Sequence, residues 1–268
     1  MRRVDVTRYG PWALVTGASD GIGQAFAREL AADGLKLVLV ARRRKALEDL
    51  ARELSPAEVL VVDADLSTEA GVQAVEAAIA PLDVGLFVAS AGFGTSGDFL
   101  HNELTAELSM LDVNCRAVVS LTHTVGRRLV RRGRGGLVLL SSLVAFQGVK
   151  RAAHYAATKA WVQSFAEGLA LELAPTGVDV LSVAPGPIAS GFAARANMSM
   201  SMSATPATVA RSSLKALPRG GTVRPGLLSK LLEWSLMFLP RWGRVRAMSQ
   251  VMAGMTKHQL PAATAAKS

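Results

Sequence analysis

Short apolar runs alternate with longer segments of helical periodicity over the first 183 residues of the chain. The runs are not broken by a polar residue at every second position, which is typical of strands in a parallel sheet that helices cover on both faces. Residues 24–32 and 46–54 have the spacing of amphipathic helices. The six runs that we predict as strands are residues 12–16, 35–41, 59–62, 84–89, 137–140 and 178–183.

Strands that alternate with helices are joined by right-handed crossovers, so the pattern predicts an α/β fold with a doubly wound parallel sheet of at least six strands. The alternation ends near Pro185, and Pro206, Pro218 and Pro225 interrupt the Ala/Ser/Met-rich sequence that follows. Apolar residues return at 227–239, which we predict to be an amphipathic or buried helix. It would begin a helical C-terminal extension, and we expect the whole chain, residues 1–268, to form a single domain.

Composition then narrows the class of protein. Half of the 268 residues are hydrophobic and 19% are charged, so the chain can bury a sizeable core and is not a disordered protein. Cys115 is the only cysteine, so no intrachain disulfide can form, which indicates a reducing compartment. The polar N-terminus lacks the apolar stretch of a secretory signal, and no apolar run reaches the ~18 residues of a membrane span. These features predict a cytoplasmic protein.

The net charge of +9 lies entirely in the last part of the chain. Residues 211–268 contain ten of the 30 basic residues and one of the 21 acidic residues, so the 20 basic and 20 acidic residues that remain cancel. Such asymmetry indicates an anionic partner for this segment. No nucleic-acid-binding motif accompanies it, so we predict no nucleic-acid partner, and we predict no metal site.

Candidate chemistry begins in the first strand-to-helix turn, where three glycines follow the strand at 12–16. Gly17, Gly21 and Gly23 would let the backbone approach a pyrophosphate, whose charge the helix N-terminus stabilises. A tight turn without a ligand is the alternative.

The spacing Thr16-Gly17-x3-Gly21-x-Gly23 resembles that of the short-chain dehydrogenase/reductase family. Further family motifs follow in order over residues 8–192, and the resemblance implies a Rossmann-like fold. They are Asp65-Leu66, Ala89-Ser90-Ala91-Gly92, Asn114, Ser142, Tyr155-x3-Lys159 and Pro185-Gly186-Pro187-Ile188-Ala189-Ser190. Two departures stand out: Ser90 occupies the usual place of an asparagine, and no C-terminal strand carries the family's Val-Asp-Gly-Gly sequence, so we expect the tail to pack differently.

The resemblance implies a catalytic role for four residues. Tyr155 would be the acid/base, Ser142 would bind the carbonyl oxygen, Lys159 would hold the nicotinamide ribose, and Asn114 would position a water in the proton relay. A ketone that accepts hydride needs a proton donor, and a lysine one helical turn away should lower the pKa of the phenol. The predicted cofactor-binding residues are Gly17, Ser19, Asp20, Gly21, Ile22, Gly23, Arg42, Asp65, Leu66, Ser90, Ala91, Gly92, Tyr155, Lys159, Pro185, Gly186, Ile188 and Ser190.

The residues after the second strand bear on the choice of cofactor. Enzymes that use NAD usually place a carboxylate there for the ribose 2′-hydroxyl, whereas this chain has Arg42-Arg43-Arg44-Lys45. An arginine suits a 2′-phosphate, so we predict NADPH or NADP+ as the cofactor and Arg42 as its contact. The alternative is a solvated basic helix start, although cations are disfavoured at a helix N-terminus.

The substrate is predicted less directly. Tyr9-Gly10-Pro11-Trp12-Ala13 and Asp20 resemble the family branch of 17β-hydroxysteroid dehydrogenases and long-chain 3-oxoacyl-CoA reductases, which implies a lipophilic ketone or secondary alcohol. Residues 190–226 correspond to the family's substrate loop, where Met198, Met200 and Met202 suit an adaptable apolar pocket. The alternative is that this segment, which is rich in Ser and Ala, is a poorly ordered loop of polar and small residues. His154, next to Tyr155, is interpreted as a pocket-wall residue or one with a structural partner rather than as a second acid. The alternative function is an NADPH-binding redox sensor or scaffold without turnover.

Two further partners are predicted. The resemblance implies a homodimer or homotetramer that pairs through the helices of Asn114 and Tyr155; the apolar stripe from Trp161 to Leu173 could instead be an intramolecular face. Residues 227–246 combine apolar and basic side chains and could contact a membrane peripherally. We favour instead a lid helix whose apolar side covers the substrate pocket, with its arginines solvated; a site for the phosphates of an acyl-CoA is the third alternative.

Overall fold

The computed structural model describes residues 4–199, 204–226, 229, 236 and 238–259. Seven parallel strands form one sheet in the order β3-β2-β1-β4-β5-β6-β7. The order reverses between β1 and β4, which is where a doubly wound sheet opens a crevice at the carboxyl ends of its strands. The strands are β1 (Trp12–Thr16), β2 (Lys36–Ala41), β3 (Val59–Asp63), β4 (Val84–Ala89), β5 (Gly135–Leu140), β6 (Val178–Val183) and β7 (Gly221–Val223).

Helices cover both faces of this sheet. On one face, Phe26, Leu47 and Val209 pack against the strands, and on the other Val75 and Leu121 do so. The helices are α1 (Val6–Tyr9), α2 (Gly21–Ala32), α3 (Arg44–Glu53), α4 (Glu69–Ile79), α5 (Leu104–Leu111), α6 (Ala117–Arg132), α7 (Ala153–Leu173), α8 (Phe192–Arg195), α9 (Pro206–Ala216) and α10 (Arg241–Met255), with a π-helical turn Asp112–Arg116 between α5 and α6.

The predicted fold class and all six predicted strands are confirmed. Strand β5 begins two residues before the predicted start, because Gly135 and Gly136 have low strand propensity yet pair with β6. At Gly136 a Cβ atom would lie 3.0 Å from Tyr9 Cε1, so a buried tyrosine occupies the space of the missing side chain.

The segment 190–226, predicted as the substrate loop, contains more regular structure than its sequence indicates. Pro206 is the first residue of α9, and the Thr205 side chain accepts a hydrogen bond from the Thr208 amide. That proline therefore starts a helix, as proline does at a first helical position. A short seventh strand, β7, pairs with β6 and forms the edge of the sheet, although it lacks the family's usual sequence.

The helix predicted over 227–239 lies outside the described residues, apart from Ser229, Leu236, Phe238 and Leu239. Within the described ranges, no helix is both long enough and apolar enough to traverse a bilayer. In the same part of the chain, no group of His, Cys, Asp or Glu side chains could hold a metal ion.

Candidate active site

A cavity of about 470 Å³ opens at the carboxyl ends of the strands. Its lining includes all the predicted site residues except Gly23 and Asn114. Gly23 lies in the first turn of α2, and the Asn114 side chain lies next to Gly92, which lines the cavity. One end is lined by the turn after β1 and by the residues that follow β2 and β3, and the other end by apolar side chains. The cavity therefore has a polar half and an apolar half, with Tyr155 in its wall.

The glycine-rich turn allows three backbone segments to approach closely. Gly17 has φ +69°, and a Cβ there would lie 2.8 Å from the backbone of Ala91 at the end of β4. At Gly23 a Cβ would lie 2.4 Å from the Gly17 carbonyl oxygen. Helix α2 begins at Gly21, and the Asp20 side chain does not cap it, so its first amides are not satisfied by a capping side chain. This cradle fits a pyrophosphate.

Two arginines, not one, reach the polar end of the cavity. Arg43 donates from Nη2 to the Ser19 carbonyl oxygen (3.1 Å) and to Ser19 Oγ (3.3 Å), so it lies on the glycine-rich turn. Arg42 also lines the cavity, near Asp65; a hydrogen bond from the Ser67 amide chiefly lowers the pKa of this carboxyl, and the Arg42 charge lowers it further. Arg44 instead pairs with Glu48 and Asp63. The sequence prediction missed Arg43, because a run of arginines does not show which side chains turn inward.

Asn114 joins three elements through its side-chain amide. Oδ1 accepts from the Phe93 amide (3.1 Å), and Nδ2 donates to the Phe93 carbonyl (2.9 Å) and to Thr158 Oγ1 (3.0 Å). The π-helical turn Asp112–Arg116 places this buried residue against the loop after β4 and against α7. Lys159 Nζ and Asn114 Oδ1 lie 3.3 Å and 3.0 Å from a Cβ built on Gly92, so all three residues meet at one point.

Two adjacent serines follow β5, and the structure assigns them different surroundings. Ser141 Oγ donates to the Lys159 carbonyl (3.1 Å), which ties β5 to α7. Ser142 Oγ accepts from the Val144 amide at 3.4 Å and also interacts with the Tyr155 phenol. Of the two, Ser142, the serine chosen from its spacing, is therefore the one that interacts with Tyr155, and Ser141 is occupied by the Lys159 carbonyl.

Burial is the main cause of the pKa shifts of Tyr155 and Lys159. It raises the pKa of Tyr155 to about 12, against a lowering contribution from Ser142, and it lowers the pKa of Lys159 to about 8. The expectation that Lys159 lowers the pKa of the phenol is not met here. Lys159 Nζ donates to the Leu140 carbonyl (2.8 Å) and lies 6.0 Å from the Tyr155 ring centroid. The phenol is therefore protonated at neutral pH and can act as an acid.

The apolar half of the cavity is built largely from methionine. Met198 lines it, as predicted for the substrate loop, whereas Met200 and Met202 lie outside the described residues. Helix α10 adds Met248, Val251, Met252 and Met255, which sequence reasoning did not assign to the site. No motif marks them, because their place depends on how the C-terminal segment folds back. Phe93, Leu143, Val144 and Phe192 complete this half.

His154 has a structural partner and is not among the residues that line the cavity. Its Nδ1 lies 2.6 Å from Glu107 Oε2, and Asn102 Nδ2 donates to Glu107 Oε1 at 2.7 Å. Burial alone would raise the pKa of Glu107, but hydrogen bonds from His154, Thr95 and Asn102 outweigh it and lower the pKa. The pair links α5 to the first turn of α7, beside Tyr155.

Comparisons with known proteins agree with this geometry. Residues 11–200 match the family model described as short chain dehydrogenase. A very-long-chain 3-oxoacyl-CoA reductase from Podospora anserina is 36% identical over 179 residues, which are 64% of this chain and 53% of that protein, so the match spans about half of the relative's length. A structure reported for 7β-hydroxysteroid dehydrogenase stereoselectivity has a TM-score of 0.83 and 26% identity over 91% of this chain and 98% of its own.

A second solved structure bears on the cofactor. The short-chain dehydrogenase from Sphingobium yanoikuyae in complex with NADPH has a TM-score of 0.78 and 29% identity, over 87% of this chain and 97% of its own. The family match covers the glycine-rich turn, Asn114, Ser142 and the Tyr155-x3-Lys159 pair in one continuous region. The chain therefore belongs to the short-chain dehydrogenase/reductase family of oxidoreductases.

Proposed function

We propose that the chain is an NADPH-dependent oxidoreductase that acts on a lipophilic ketone or secondary alcohol. One observation carries this proposal: Tyr155, which interacts with Ser142, lines the same cavity as the glycine-rich turn and its arginines, and it packs against the methionines and Phe192 of the apolar half. When bound, the nicotinamide supplies the hydride, and the protein orients the reacting groups.

The protein's own residues supply the proton. In the reduction direction, the carbonyl carbon accepts the hydride, negative charge develops on the carbonyl oxygen, and the Tyr155 hydroxyl donates its proton to that oxygen. Ser142 Oγ binds the same oxygen and orients it toward the phenol. The Tyr155 phenol is neutral at pH 7, as an ordinary tyrosine is, and burial moves its pKa further above that pH, so it is in the form that donates. We assign Lys159 to the nicotinamide ribose and Asn114 to a water in the proton relay that restores the phenol proton; Lys159 Nζ and Asn114 Oδ1 lie close together at Gly92.

The choice of NADPH rests on the arginines after β2. Ala41 ends the strand where a carboxylate would select the ribose hydroxyl of NADH, and Arg42 and Arg43 both line the cavity there. A guanidinium binds phosphate with two parallel hydrogen bonds, and Arg43 is already oriented by Ser19. We propose that these two side chains bind the 2′-phosphate.

A binding protein without turnover is the competing function. It needs the cradle and the arginines but has no use for an acid in contact with Ser142. The buried, hydrogen-bonded lysine would also be a desolvation cost without benefit. The set of Asn114, Ser142, Tyr155 and Lys159 therefore favours the enzyme.

A homodimer or homotetramer is proposed through α5 and α7. Helix α7 exposes Trp161, which stacks on Phe165 at a centroid distance of 5.0 Å, and Leu171, which is 80% exposed. Leu104 and Leu108 are exposed on α5, the helix that leads to Asn114. Other members of the apolar stripe on α7 pack inward against the core, so only its outer edge could pair with a second copy.

A peripheral contact with an anionic membrane is a second proposal, for residues 227–246. Only part of that segment is described, and there Leu239 and Trp242 are exposed beside Arg241 and Arg246. Arg246 lies over the Trp242 ring at 5.3 Å from its centroid. Exposed aromatic and basic side chains together suit the interface of an anionic bilayer.

The central test measures NADPH consumption with steroid ketones, 3-oxoacyl thioesters, aryl ketones and aldehydes. We expect turnover with at least one lipophilic ketone, and we expect Tyr155→Phe to abolish it while still binding NADPH, because the variant loses the acid but keeps the cradle. Tyr9→Phe is the matched control, since the Tyr9 hydroxyl donates to Asp179 in β6 and neither residue lines the cavity. Retained turnover in Tyr155→Phe would refute the assigned acid.

A further inference from the structure

Helix α10 forms one wall of the apolar half of the cavity. Met248 and Met252 lie one helical turn apart and are both buried, and Val251 and Met255 also line the cavity. The three methionines pack in one cluster with Met198, which follows α8. The wall belongs to no strand of the sheet, so its position depends on the contacts that hold the C-terminal segment in place.

Arg151 makes two of those contacts with its guanidinium. Nε donates to Thr256 Oγ1 at 2.8 Å, and Nη2 donates to Gln259 Oε1 at 2.7 Å. The Arg151 side chain is only 10% exposed, and its nearest carboxylate, Asp98, lies 3.9 Å away. Thr256 is fully buried directly after α10. The largely buried Arg151 guanidinium therefore makes these hydrogen bonds at the C-terminal end of α10.

The backbone of Arg151 is also unusual. Its φ is +65°, in the left-handed region that favours glycine. Its carbonyl accepts from the Gly97 amide at 2.9 Å, and Tyr155 follows four residues later in α7. A large side chain in this conformation is retained at a functional position only where its contacts outweigh the strain. Here those contacts are to the C-terminal segment.

Additional bonds connect the same helix end to the other cavity walls. Gln259 Nε2 donates to Ser96 Oγ at 2.8 Å and to the Asn197 carbonyl at 2.5 Å. The Ser199 amide donates to the Met255 carbonyl at 2.8 Å. Gln259, oriented by Arg151, therefore joins the loop after β4 and the segment after α8 to α10.

We propose that Arg151 is a positioning residue that fixes α10 as the substrate-side wall and so determines how well large apolar ketones bind. This inference rests on the proposed function. A small ketone fills only the space beside Tyr155 and Ser142. A rigid ketone the size of a steroid must also contact the methionines of α10. Loss of the Arg151 bonds therefore weakens binding of the large ketone and leaves the small one unaffected.

The test compares Arg151→Ala with Arg151→Gly. Both remove the guanidinium, but alanine keeps a Cβ at φ +65° whereas glycine relieves the strain. Arg128→Ala is the matched control, because Arg128 binds the carbonyls of Ile79 and Leu82, away from the cavity. Two measurements are made on each full-length variant: hydrogen exchange of amides 248–256, and kcat and KM for androstenedione, acetophenone and NADPH.

Both Arg151 variants should exchange amides 248–256 at least tenfold faster than the wild type. Their KM for androstenedione should rise at least tenfold, while KM for acetophenone and NADPH changes less than twofold. Arg128→Ala should lower thermal stability without either effect. Unchanged exchange overturns the proposal, as does an equal rise in KM for both ketones or a wild-type result for Arg151→Gly. If the wild type reduces neither ketone, the proposed function fails for these substrates, and the exchange measurement still decides the role of Arg151.

Discussion

Cofactor choice can be tested within the run Arg42-Arg43-Arg44, because the structure gives its members different surroundings. Arg43 lies on the glycine-rich turn through Ser19, Arg42 lines the cavity beside Asp65, and Arg44 pairs with two carboxylates outside it. We expect Arg43→Ala and Arg42→Ala each to lower kcat/KM for NADPH and to leave NADH unaffected. Arg44→Ala is the matched control and should change neither.

The magnitude follows from the contact that is lost. A hydrogen bond to a charged group contributes about 1.5–3 kcal/mol, which corresponds to about 10- to 150-fold in binding. Arg42 and Arg43 are both exposed, so salt and water weaken the interaction and the lower end applies, about tenfold for each. NADH lacks the 2′-phosphate, so its kcat/KM should change less than about twofold.

The assay is the initial rate with each cofactor at several concentrations, at low and at high salt. The NADPH effect of Arg43→Ala should shrink at high salt, since it is electrostatic. An equal loss for NADPH and NADH would show that the arginine supports the turn rather than the phosphate. A loss in Arg44→Ala as large as that in Arg43→Ala would refute the assignment of side chains made from the structure.

Four other predictions concern the turn, the buried lysine and the two proposed surfaces. Gly23→Ala should weaken NADPH binding and lower Tm, because the new Cβ would lie 2.4 Å from the Gly17 carbonyl oxygen. Gly168→Ala is the control: a Cβ there would meet no atom within 4 Å, so urea unfolding should show it to be neutral or stabilising. Burial lowers the pKa of Lys159 from its ordinary value of 10.5 to about 8 in the folded state, so the unfolded state binds more protons between these two pH values. The free energy of unfolding of the wild type should therefore rise over that pH range relative to that of Lys159→Met. Parallel pH dependences of the two proteins would contradict this prediction. Light scattering should show a dimer or tetramer at micromolar concentration that Trp161→Arg converts to monomer; a monomeric wild type would count against the interface. The wild type should sediment with anionic but not neutral vesicles, less at high salt and less in Trp242→Ser, and failure to sediment with either would remove the membrane proposal.

The sheet could be predicted from the sequence because its strands carry their signal locally. Strand β4 is buried at all six positions, and so is β5, so a continuous apolar run is what such a strand requires. The site residues that follow strand ends could be placed for the same reason, since parallel strands bring their carboxyl ends to one edge. Ser142 after β5 and Asp65 after β3 are both found there.

The substrate side could not be predicted in this way, because its residues are selected by contacts distant in sequence. Met252 lines the cavity from a helix whose C-terminal end is held in part by Arg151, about a hundred residues earlier in the chain. Neither residue belongs to a family motif, and a methionine on a helix is compatible with any apolar surface. The pKa of Tyr155 also depends on contacts that the local sequence does not specify. The spacing to Lys159 predicts that the lysine charge lowers this pKa, whereas the fold buries both side chains and directs the ammonium to the Leu140 carbonyl. Local spacing therefore identifies which groups take part in the chemistry. Which protonation state they hold, and which substrate reaches them, are decided by burial and by the C-terminal wall.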